Sequence, residues 1–215
     1  MDLELLKELC DTPGVPGLED KIAKIVQNNI LKLCQSHEID AMGNNIFRVN
    51  KKIEKAPTIL VDAHMDEVGF LVSNIESNGM IRVIALGGID PKLFYGQRLS
   101  IWGKKPIEAT VAAIPPHISN KSDAVTQVED CIIDTGLKYK DVIKFINIGD
   151  QVTFSTKCEI GYDRVLSKAL DDRVGLFVLI EAVKVLSKKK LNCNFIASAS
   201  VQEEMGLRGA RIINS

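Results

Sequence analysis

The sequence has almost no net charge, few aromatic residues and no cysteine pair of the Cys-x-x-Cys type. Its 215 residues include 27 Lys and Arg and 28 Asp and Glu, and because no long basic run is present, a nucleic-acid partner is not expected. Aromatic residues make up 5% of the chain, too few to indicate the sugar-binding surface of a glycoside hydrolase. The five cysteines are scattered and odd in number, which is typical of reduced thiols.

Long apolar runs are also missing. No segment is apolar over enough residues to cross a bilayer, and residues 1–9 are acidic and amphipathic, unlike the basic and apolar start of a signal peptide. We therefore expect a cytoplasmic protein without a membrane partner. The composition, with 46% hydrophobic and 26% charged residues, is that of an ordinary globular protein.

Helical and extended patterns alternate at the two ends of the chain. Apolar periodicity indicates helices over Asp2–Leu9, Glu19–Leu33 and Asp171–Lys189, and strand-like runs occupy Asn44–Val49, Thr58–Val72 and Asn194–Val201. This order predicts an α/β fold with flanking helices and a largely parallel sheet.

The central part of the chain has a different pattern. Short apolar runs separated by Gly and Pro indicate strands over Met80–Leu86, Arg98–Ile101, Glu108–Ile114 and Gln151–Phe154. We therefore predict an α/β catalytic domain, residues 1–67 plus 161–215, that is interrupted by a small β-rich domain, residues 68–160.

A histidine and three acids interrupt the apolar run Thr58–Val72. Residues i and i+2 of a strand face the same side, so His64 and Asp66 would leave the sheet together, where burial without a partner is unfavourable. Imidazole is a common ligand of zinc or cobalt, and a nearby carboxylate often orients the ring. The pattern indicates a metal site, with a hydrogen-bonded core pair as the alternative. His37, in a polar turn, and His117, after two prolines, do not share this pattern.

Two pairs of adjacent acids follow later in the chain. Asp171 and Asp172 precede a helical pattern, where helix capping would also explain them. Glu203 and Glu204 lie between a buried strand and a short helical pattern, where acids are equally ordinary. Because ligands gather beyond the carboxyl ends of strands in α/β sheets, we expect His64 and the glutamates to meet in one crevice. One glutamate would bind a cation while the other exchanges a proton with water, which predicts a metal-assisted hydrolase.

Six segments in this order resemble the cellulase-M-like metalloaminopeptidases, a family that includes the glutamyl aminopeptidases and the tetrahedral (TET) aminopeptidases. The matching segments are Pro13–Glu19, Asp62–Gly69, Pro115–His117, Ile148–Val152, Ala169–Gly175 and Val201–Ala210. The resemblance extends over the whole chain and implies a zinc-exopeptidase-like mixed sheet with flanking helices, interrupted by a small β-barrel-like domain. It also implies removal of N-terminal residues from short peptides with two divalent metal ions, zinc or cobalt.

The resemblance implies a role for each candidate residue. His64 would bind one metal ion, Asp171 would bridge both ions, and Glu204 would bind the second. Glu203 would be the general base that takes a proton from the attacking water and passes it to the departing amine. Asp66 would orient His64. The peptide bond that follows Asp171 is expected to be cis.

The family pattern continues beyond Ser215. Relatives place an aspartate and a histidine there as further ligands, so each metal ion would lack one of the three protein ligands typical of catalytic zinc. The resemblance also implies that residues 68–160 mediate dimerisation and the assembly of a hollow dodecamer. We expect an exposed sheet edge and an exposed apolar face. We also expect that the chain either pairs with a complementing C-terminal segment or is part of a longer enzyme. The alternative is a truncated, inactive homologue with an assembly or peptide-binding role.

Overall fold

The computed structural model describes residues 2–112 and 127–213. The chain divides into two compact units, the first made of Met1–Glu67 and Lys157–Ser215 and the second of Val68–Thr156. The chain thus leaves the first unit at residue 67 and returns to it at residue 157. The segment Pro115–His117, one of the six matching segments, lies outside the described residues.

The helices and strands are numbered in chain order. The α-helices are α1 (Leu3–Asp11), α2 (Asp20–Ile30), α3 (Tyr139–Phe145), α4 (Leu170–Leu186) and α5 (Arg208–Ile213). The strands are β1 (Ser36–Ile39), β2 (Asn45–Arg48), β3 (Thr58–His64), β4 (Gly69–Ile75), β5 (Ile81–Leu86), β6 (Arg98–Trp102), β7 (Pro106–Ala112), β8 (Ile132–Asp134), β9 (Gln151–Phe154), β10 (Glu159–Ile160), β11 (Val165–Leu166) and β12 (Asn194–Ser200). Single turns of 3-10 helix cover Leu31–Leu33, Pro91–Leu93 and Val128–Asp130. In the part of the chain that the structure describes, no helix is both long and apolar enough to cross a membrane.

The first unit contains a four-stranded sheet in the order β1-β2-β12-β3. Strand β12 runs parallel to β3, whereas the pairs β1 with β2 and β2 with β12 are antiparallel. The sheet is therefore mixed, as the family resemblance implies, and the prediction of a largely parallel sheet is wrong. The short turn between β1 and β2 forces these two strands to run in opposite directions, and only the long connection from β3 to β12 returns the chain in parallel.

Helices α1, α2 and α4 pack with this sheet around one apolar core. The core-facing positions of α2 repeat at helical spacing and include Ile22, Val26 and Ile30, which are fully buried. They belong to the same cluster as Phe47 of β2 and Ala197 of β12, which are also fully buried. Removal of these apolar side chains from water is the main force that holds the helices on the sheet.

The apolar run Thr58–Val72 forms two strands and not one. Strand β3 ends at His64. The Met65 N–H still donates to the carbonyl of Ser200 in β12, but the Glu67 N–H donates to the carbonyl of Gly14, outside the sheet, at 2.9 Å. Strand β4 begins two residues later, in the second unit. Asp66 therefore lies in a loop beyond β3, and the prediction that it shares a strand face with His64 is wrong.

The second unit is a closed barrel with the strand order β4-β5-β8-β7-β6-β9. Neighbouring strands are antiparallel, and fully buried apolar side chains fill the interior, among them Phe70, Leu99, Ile101, Ile133 and Val152. Closure removes the unpaired strand edges that an open sheet would have. The four predicted runs of this region correspond to β5, β6, β7 and β9, so the β-barrel-like part of the predicted fold is confirmed.

Strand β3 lies at one edge of the four-stranded sheet, and it is more apolar than an exposed edge strand usually is. Ile59, Leu60 and Val61 are 46%, 40% and 40% exposed. Because alternate residues of a strand point to opposite faces, apolar side chains are exposed on both sides of β3. This composition is typical of a strand inside a sheet, and at an edge it favours pairing with further polypeptide.

The exposed edge predicts that Leu60→Lys reduces association of the chain with itself, because a charge on β3 opposes edge-to-edge pairing. Sedimentation velocity over a range of protein concentrations measures the association. Leu31→Lys is the control, since Leu31 is an apolar residue of the first unit that lies outside β3 and is 43% exposed. If both variants associate to the same extent as the unsubstituted chain, β3 is not the surface responsible.

Candidate metal centre

His64 is the last residue of β3 and pairs with Ser200, the last residue of the parallel strand β12. Both strands therefore end at the same edge of the sheet, and the segments that follow them start side by side. The first segment carries Asp66, and the second carries Glu203 and Glu204. The carboxyl ends of two adjacent parallel strands are the usual place for a binding crevice in an α/β sheet.

The ring of His64 has acidic residues on both sides. Its Nε2 atom lies 3.1 Å from Oδ1 of Asp171 and 3.8 Å from Oε2 of Glu203. Its Nδ1 atom lies 3.0 Å from the backbone carbonyl of Asp66 and 3.5 Å from the carboxylate of the same residue. Because a carbonyl oxygen only accepts hydrogen bonds, Nδ1 carries a proton and donates a hydrogen bond to the backbone carbonyl of Asp66. Nε2 is thereby directed toward the acids.

Asp171 and Asp172 precede the regular part of α4 and have different environments. Their dihedral angles are not helical, and the peptide bond between them is cis, as the family resemblance implies. The Asp172 carboxylate accepts the N–H of Gly175 at 3.0 Å and so caps the helix. The Asp171 carboxylate instead faces His64, and its side chain is 87% exposed. Capping therefore explains the second acid of this pair but not the first.

Glu203 and Glu204 lie in a turn before α5, which begins only at Arg208. Their backbone N–H groups donate to the two carboxylate oxygens of Asp66, each at 3.0 Å. Asp66 is fully buried, so these hydrogen bonds are shielded from water. The same carboxylate thus borders His64 and fixes the backbone of both glutamates.

The side chains of this cluster form a donor set that fits a divalent cation. His64, Glu203 and Glu204 each offer one ligand atom, and these atoms lie within 4.8 Å of one another. Asp171 adds a further carboxylate beside the imidazole. One imidazole nitrogen with several carboxylate oxygens suits zinc, cobalt or manganese. The Asp66 carboxylate instead accepts hydrogen bonds from the backbone N–H groups of Glu203 and Glu204, and so positions the residues of the cluster.

Mutual interactions shift the pKa values of the cluster. Burial favours the neutral ring of His64, but the Asp66 carboxylate, followed by Asp171 and Glu203, raises the pKa of His64 to about 9. Burial also opposes ionisation of Asp66, yet His64 and the two backbone N–H groups hold the pKa of this carboxyl below its usual range. Burial raises the pKa of Glu204, and the neighbouring acids add to that shift. The cluster as a whole therefore favours a positive charge at its centre.

Of the other two histidines, His37 lies in the described part of the chain and does not join the cluster. Nε2 of His37 lies 2.9 Å from Oδ1 of Asn45, and its ring stacks on Phe47 with a centroid separation of 4.5 Å. This packing is a structural role, as the sequence indicates. His117 belongs to the part of the chain for which no structure is described.

A buried ion network, which the sequence analysis missed, connects the same segments. Nζ of Lys168 lies 2.8 and 2.7 Å from the two carboxylate oxygens of Glu67, and Nη2 of Arg173 lies 3.6 Å from Glu67 Oε1. Arg173 is fully buried and also donates to the carbonyls of Leu9 and Thr12. The network ties the loop after β3 and the start of α4 to the N-terminal segment.

The sequence contains a signal for one member of this network. Arg173 lies three residues before Leu176 and seven before Ile180, on the face of α4 that is buried. A charged residue on an apolar helix face requires a buried partner. No comparable local signal exists for Lys168, because its partner Glu67 is 101 residues away in the chain.

An α/β unit with a histidine and carboxylates at the ends of its strands, and a barrel inserted in the chain, is the architecture of a class of peptidases. The sequence model of one such family, M42 glutamyl aminopeptidase, matches residues 43–215. The chain belongs to this family.

Curated relatives and a solved structure agree with this assignment. The chain is 32% identical over 216 residues to the glutamyl aminopeptidase of Lactococcus lactis and 31% identical over 220 residues to the lysyl aminopeptidase of Pyrococcus furiosus. These alignments cover 96% and 99% of this chain but only 61% and 62% of the relatives. The TET1 peptidase of Pyrococcus horikoshii matches with a TM-score of 0.86 at 32% identity, covering 98% of this chain and 64% of that one. The chain thus spans less than two thirds of the length of the relatives that it matches.

The raised pKa of His64 predicts that stability decreases as the pH rises. A histidine in the unfolded chain titrates near 6.5, whereas folded His64 titrates at about 9. The stabilisation by the protonated ring is therefore complete below pH 6.5 and is lost as the pH passes through 9. In the presence of a chelator, we expect the free energy of unfolding to fall by about 1–3 kcal/mol across this window.

Denaturant unfolding at several pH values within the window measures this change. His64→Gln is the control, because it removes the titrating ring while keeping a polar side chain of similar length. Its stability should vary much less over the same window. Parallel pH profiles for the variant and the unsubstituted chain would show that another group is responsible.

The buried network predicts a large effect of Glu67→Ala. The substitution leaves Lys168 and Arg173 buried without their counter-charge, so we expect a loss of about 3–5 kcal/mol in the free energy of unfolding. Glu181→Ala is the matched control, because Glu181 pairs with Lys184 at 2.9 Å in the same unit but on the surface. Loss of that partly exposed pair should cost less than about 1 kcal/mol. Similar losses in the two variants would contradict the importance of the buried network.

Proposed function

We propose that the chain forms the metal-binding part of a dinuclear metalloaminopeptidase that removes N-terminal residues from short peptides. The observation that supports this proposal best is the convergence of His64, Asp171, Glu203 and Glu204 beyond the ends of β3 and β12. Helix capping accounts for Asp172 but for none of these four side chains. Carboxylates gathered around one imidazole repel one another, and a bound cation would compensate them.

His64, Asp171 and Glu204 would hold two divalent cations, for which zinc and cobalt are the proposed metals. Asp171 would contribute to both, because its side chain is 87% exposed and its Oδ1 lies 3.1 Å from Nε2 of His64. A divalent cation supplies Lewis acidity, which polarises a peptide carbonyl and makes water more acidic. The remaining ligands of each cation would come from a further segment of polypeptide.

Glu203 would act as the general base. Its side chain is 32% exposed, so water and substrate can reach it, while its backbone N–H is held by the buried Asp66. The carboxylate would take a proton from the attacking water and deliver that proton to the amine as the peptide bond breaks. Burial raises the pKa of the neighbouring Glu204, and ligation by a cation would keep that carboxyl ionised.

Asp66 would be a positioning residue and not a proton carrier. It keeps Nδ1 of His64 protonated through its backbone carbonyl, with its carboxylate 3.5 Å away, and so leaves Nε2 available to a cation. Its carboxylate also holds the backbone of Glu203 and Glu204. The proposed role therefore includes both the orientation of His64 and the placement of the two glutamates.

We also propose that a complementing C-terminal segment, in the same polypeptide or in another, covers β3 and the adjacent face of α4. Leu60 and its neighbours are exposed on both sides of β3, and Val178 of α4 is 57% exposed. The curated relatives are longer than the chain, and the additional segment would supply the remaining metal ligands. Addition of such a segment should suppress the association that Leu60→Lys also suppresses.

We further propose that Val68–Thr156 mediates assembly into a homo-oligomer, from a dimer to a dodecamer. The support is the likeness to the Pyrococcus horikoshii TET1 peptidase, which can assemble into a tetrahedron or a large octahedral shell. A cytoplasmic location is proposed on different grounds. All five cysteines lie in the described part of the chain as free thiols, which fits a reducing compartment.

Hydrolysis of a panel of aminoacyl-p-nitroanilides in the presence of zinc or cobalt tests the proposed function. We expect activity that a chelator abolishes and that Glu203→Gln lowers at least about a hundredfold, because the proton acceptor is lost. Glu38→Gln is the control, since Glu38 is an exposed acid on β1. It should retain full activity.

The assay is run on the chain alone and with the C-terminal segment of the Lactococcus lactis relative added. Metal content, measured on the same samples, distinguishes loss of the general base from loss of a metal ligand. Glu203→Gln should retain bound metal, whereas His64→Gln should lose it. Inactivity under both conditions, with no metal bound, would overturn the proposal. It would favour the alternative role in assembly or peptide binding.

A further inference from the structure

Three consecutive backbone N–H groups at the candidate site donate to buried carboxylates. Those of Glu203 and Glu204 donate to Asp66, and that of Gln202 donates to Oε1 of Glu19 at 3.1 Å. Asp66 is fully buried and Glu19 is 6% exposed. The turn that carries the two glutamates is thus held along its backbone by acids from two distant segments.

The carboxylate of Glu19 is not used by its own helix. Glu19 immediately precedes α2, but its side chain makes no capping hydrogen bond to that helix. The same oxygen that binds Gln202 accepts the N–H of Gly17 at 2.8 Å. Glu19 therefore joins the loop before α2 to the turn after β12, which lies 183 residues away in the chain.

Packing alone does not fix this turn. Gln202 has φ of 53°, in the left-handed region that is unfavourable for a residue with a Cβ atom. A cavity of about 110 Å³ lies beside it, lined in part by Gly17, Glu19, Met65 and Val201. Side chains therefore do not fill the space on this side of Gln202, and packing there constrains the backbone less than in a filled core. Directional hydrogen bonds remain as the constraint.

We infer that Glu19 is a positioning residue, which holds Gln202 in its left-handed conformation and so directs the side chains of Glu203 and Glu204 toward His64. A carboxylate is a stronger acceptor for a backbone N–H than a neutral group is. Asp66 accepts the next two N–H groups and Asn44 accepts the N–H of Val201, so loss of Glu19 releases the backbone at Gln202 only. The consequence for hydrolysis rests on the proposed function, but the constraint on the backbone does not.

Backbone amide exchange, followed by NMR on the whole chain in the presence of a chelator, tests the constraint directly. In Glu19→Ala, exchange of the Gln202 amide should accelerate about tenfold, because one buried hydrogen bond is lost. The amides of Glu203 and Glu204, held by Asp66, should change less. Glu19→Gln keeps a side-chain oxygen at the same position and should restore most of the protection.

Val26→Ala is the matched control, because it removes a fully buried side chain from the same helix region without touching the turn. A merely structural role for Glu19 would accelerate exchange in both alanine variants across the whole unit. Local acceleration at Gln202 in Glu19→Ala alone supports the inference. Unchanged exchange at Gln202, or equal acceleration in Val26→Ala, overturns it.

Kinetics extend the test to catalysis. In the active protein, Glu19→Ala should lower kcat about tenfold while KM stays within about twofold, and Glu19→Gln should recover kcat. An equal fall of kcat in Val26→Ala would overturn the link between Glu19 and the catalytic turn. Inactivity of the unsubstituted protein would count against the proposed function, whereas the amide exchange would still decide the role of Glu19.

Discussion

The buried carboxylate of Asp66 is the group on which the candidate site depends. An anion removed from water is tolerated only when donors and opposite charges surround it. Here the backbone N–H groups of Glu203 and Glu204 donate to the carboxylate, and the ring of His64 lies 3.5 Å from it. Satisfying one buried acid therefore brings together the loop after β3 and the turn after β12. The side chains of the two glutamates remain outside this arrangement and face His64.

The next residue, Glu67, imposes a similar requirement with different partners. Its carboxylate is buried between Lys168, in the loop before α4, and Arg173, in the first turns of α4. Two consecutive acids thus attach one loop to two other segments, the first through backbone N–H groups and the second through positive side chains. Such a framework keeps the backbone rigid around side chains that are partly exposed, which is the arrangement that a preorganised catalytic site requires.

Local sequence patterns were sufficient for most helices and strands, because apolar periodicity follows directly from which face is buried. They failed where hydrogen-bond partners change without a change in composition. The run Thr58–Val72 has apolar residues on both sides of His64 and Asp66, yet the Glu67 N–H donates to the carbonyl of Gly14 and the run is divided into two strands. The direction of the neighbouring strands was also mispredicted, since the turn between β1 and β2 makes that pair antiparallel.

The sequence by itself determined the fold class, the barrel-like insertion and the residue types that gather beyond the strand ends, because each depends on local spacing or on motifs. Only the tertiary structure decided that Asp172 caps α4 while Asp171 faces His64, and that Glu19 binds the turn at Gln202. These choices depend on partners that lie far apart in the chain. A one-dimensional pattern records which groups are polar, whereas the folded backbone determines which donor each buried acid meets.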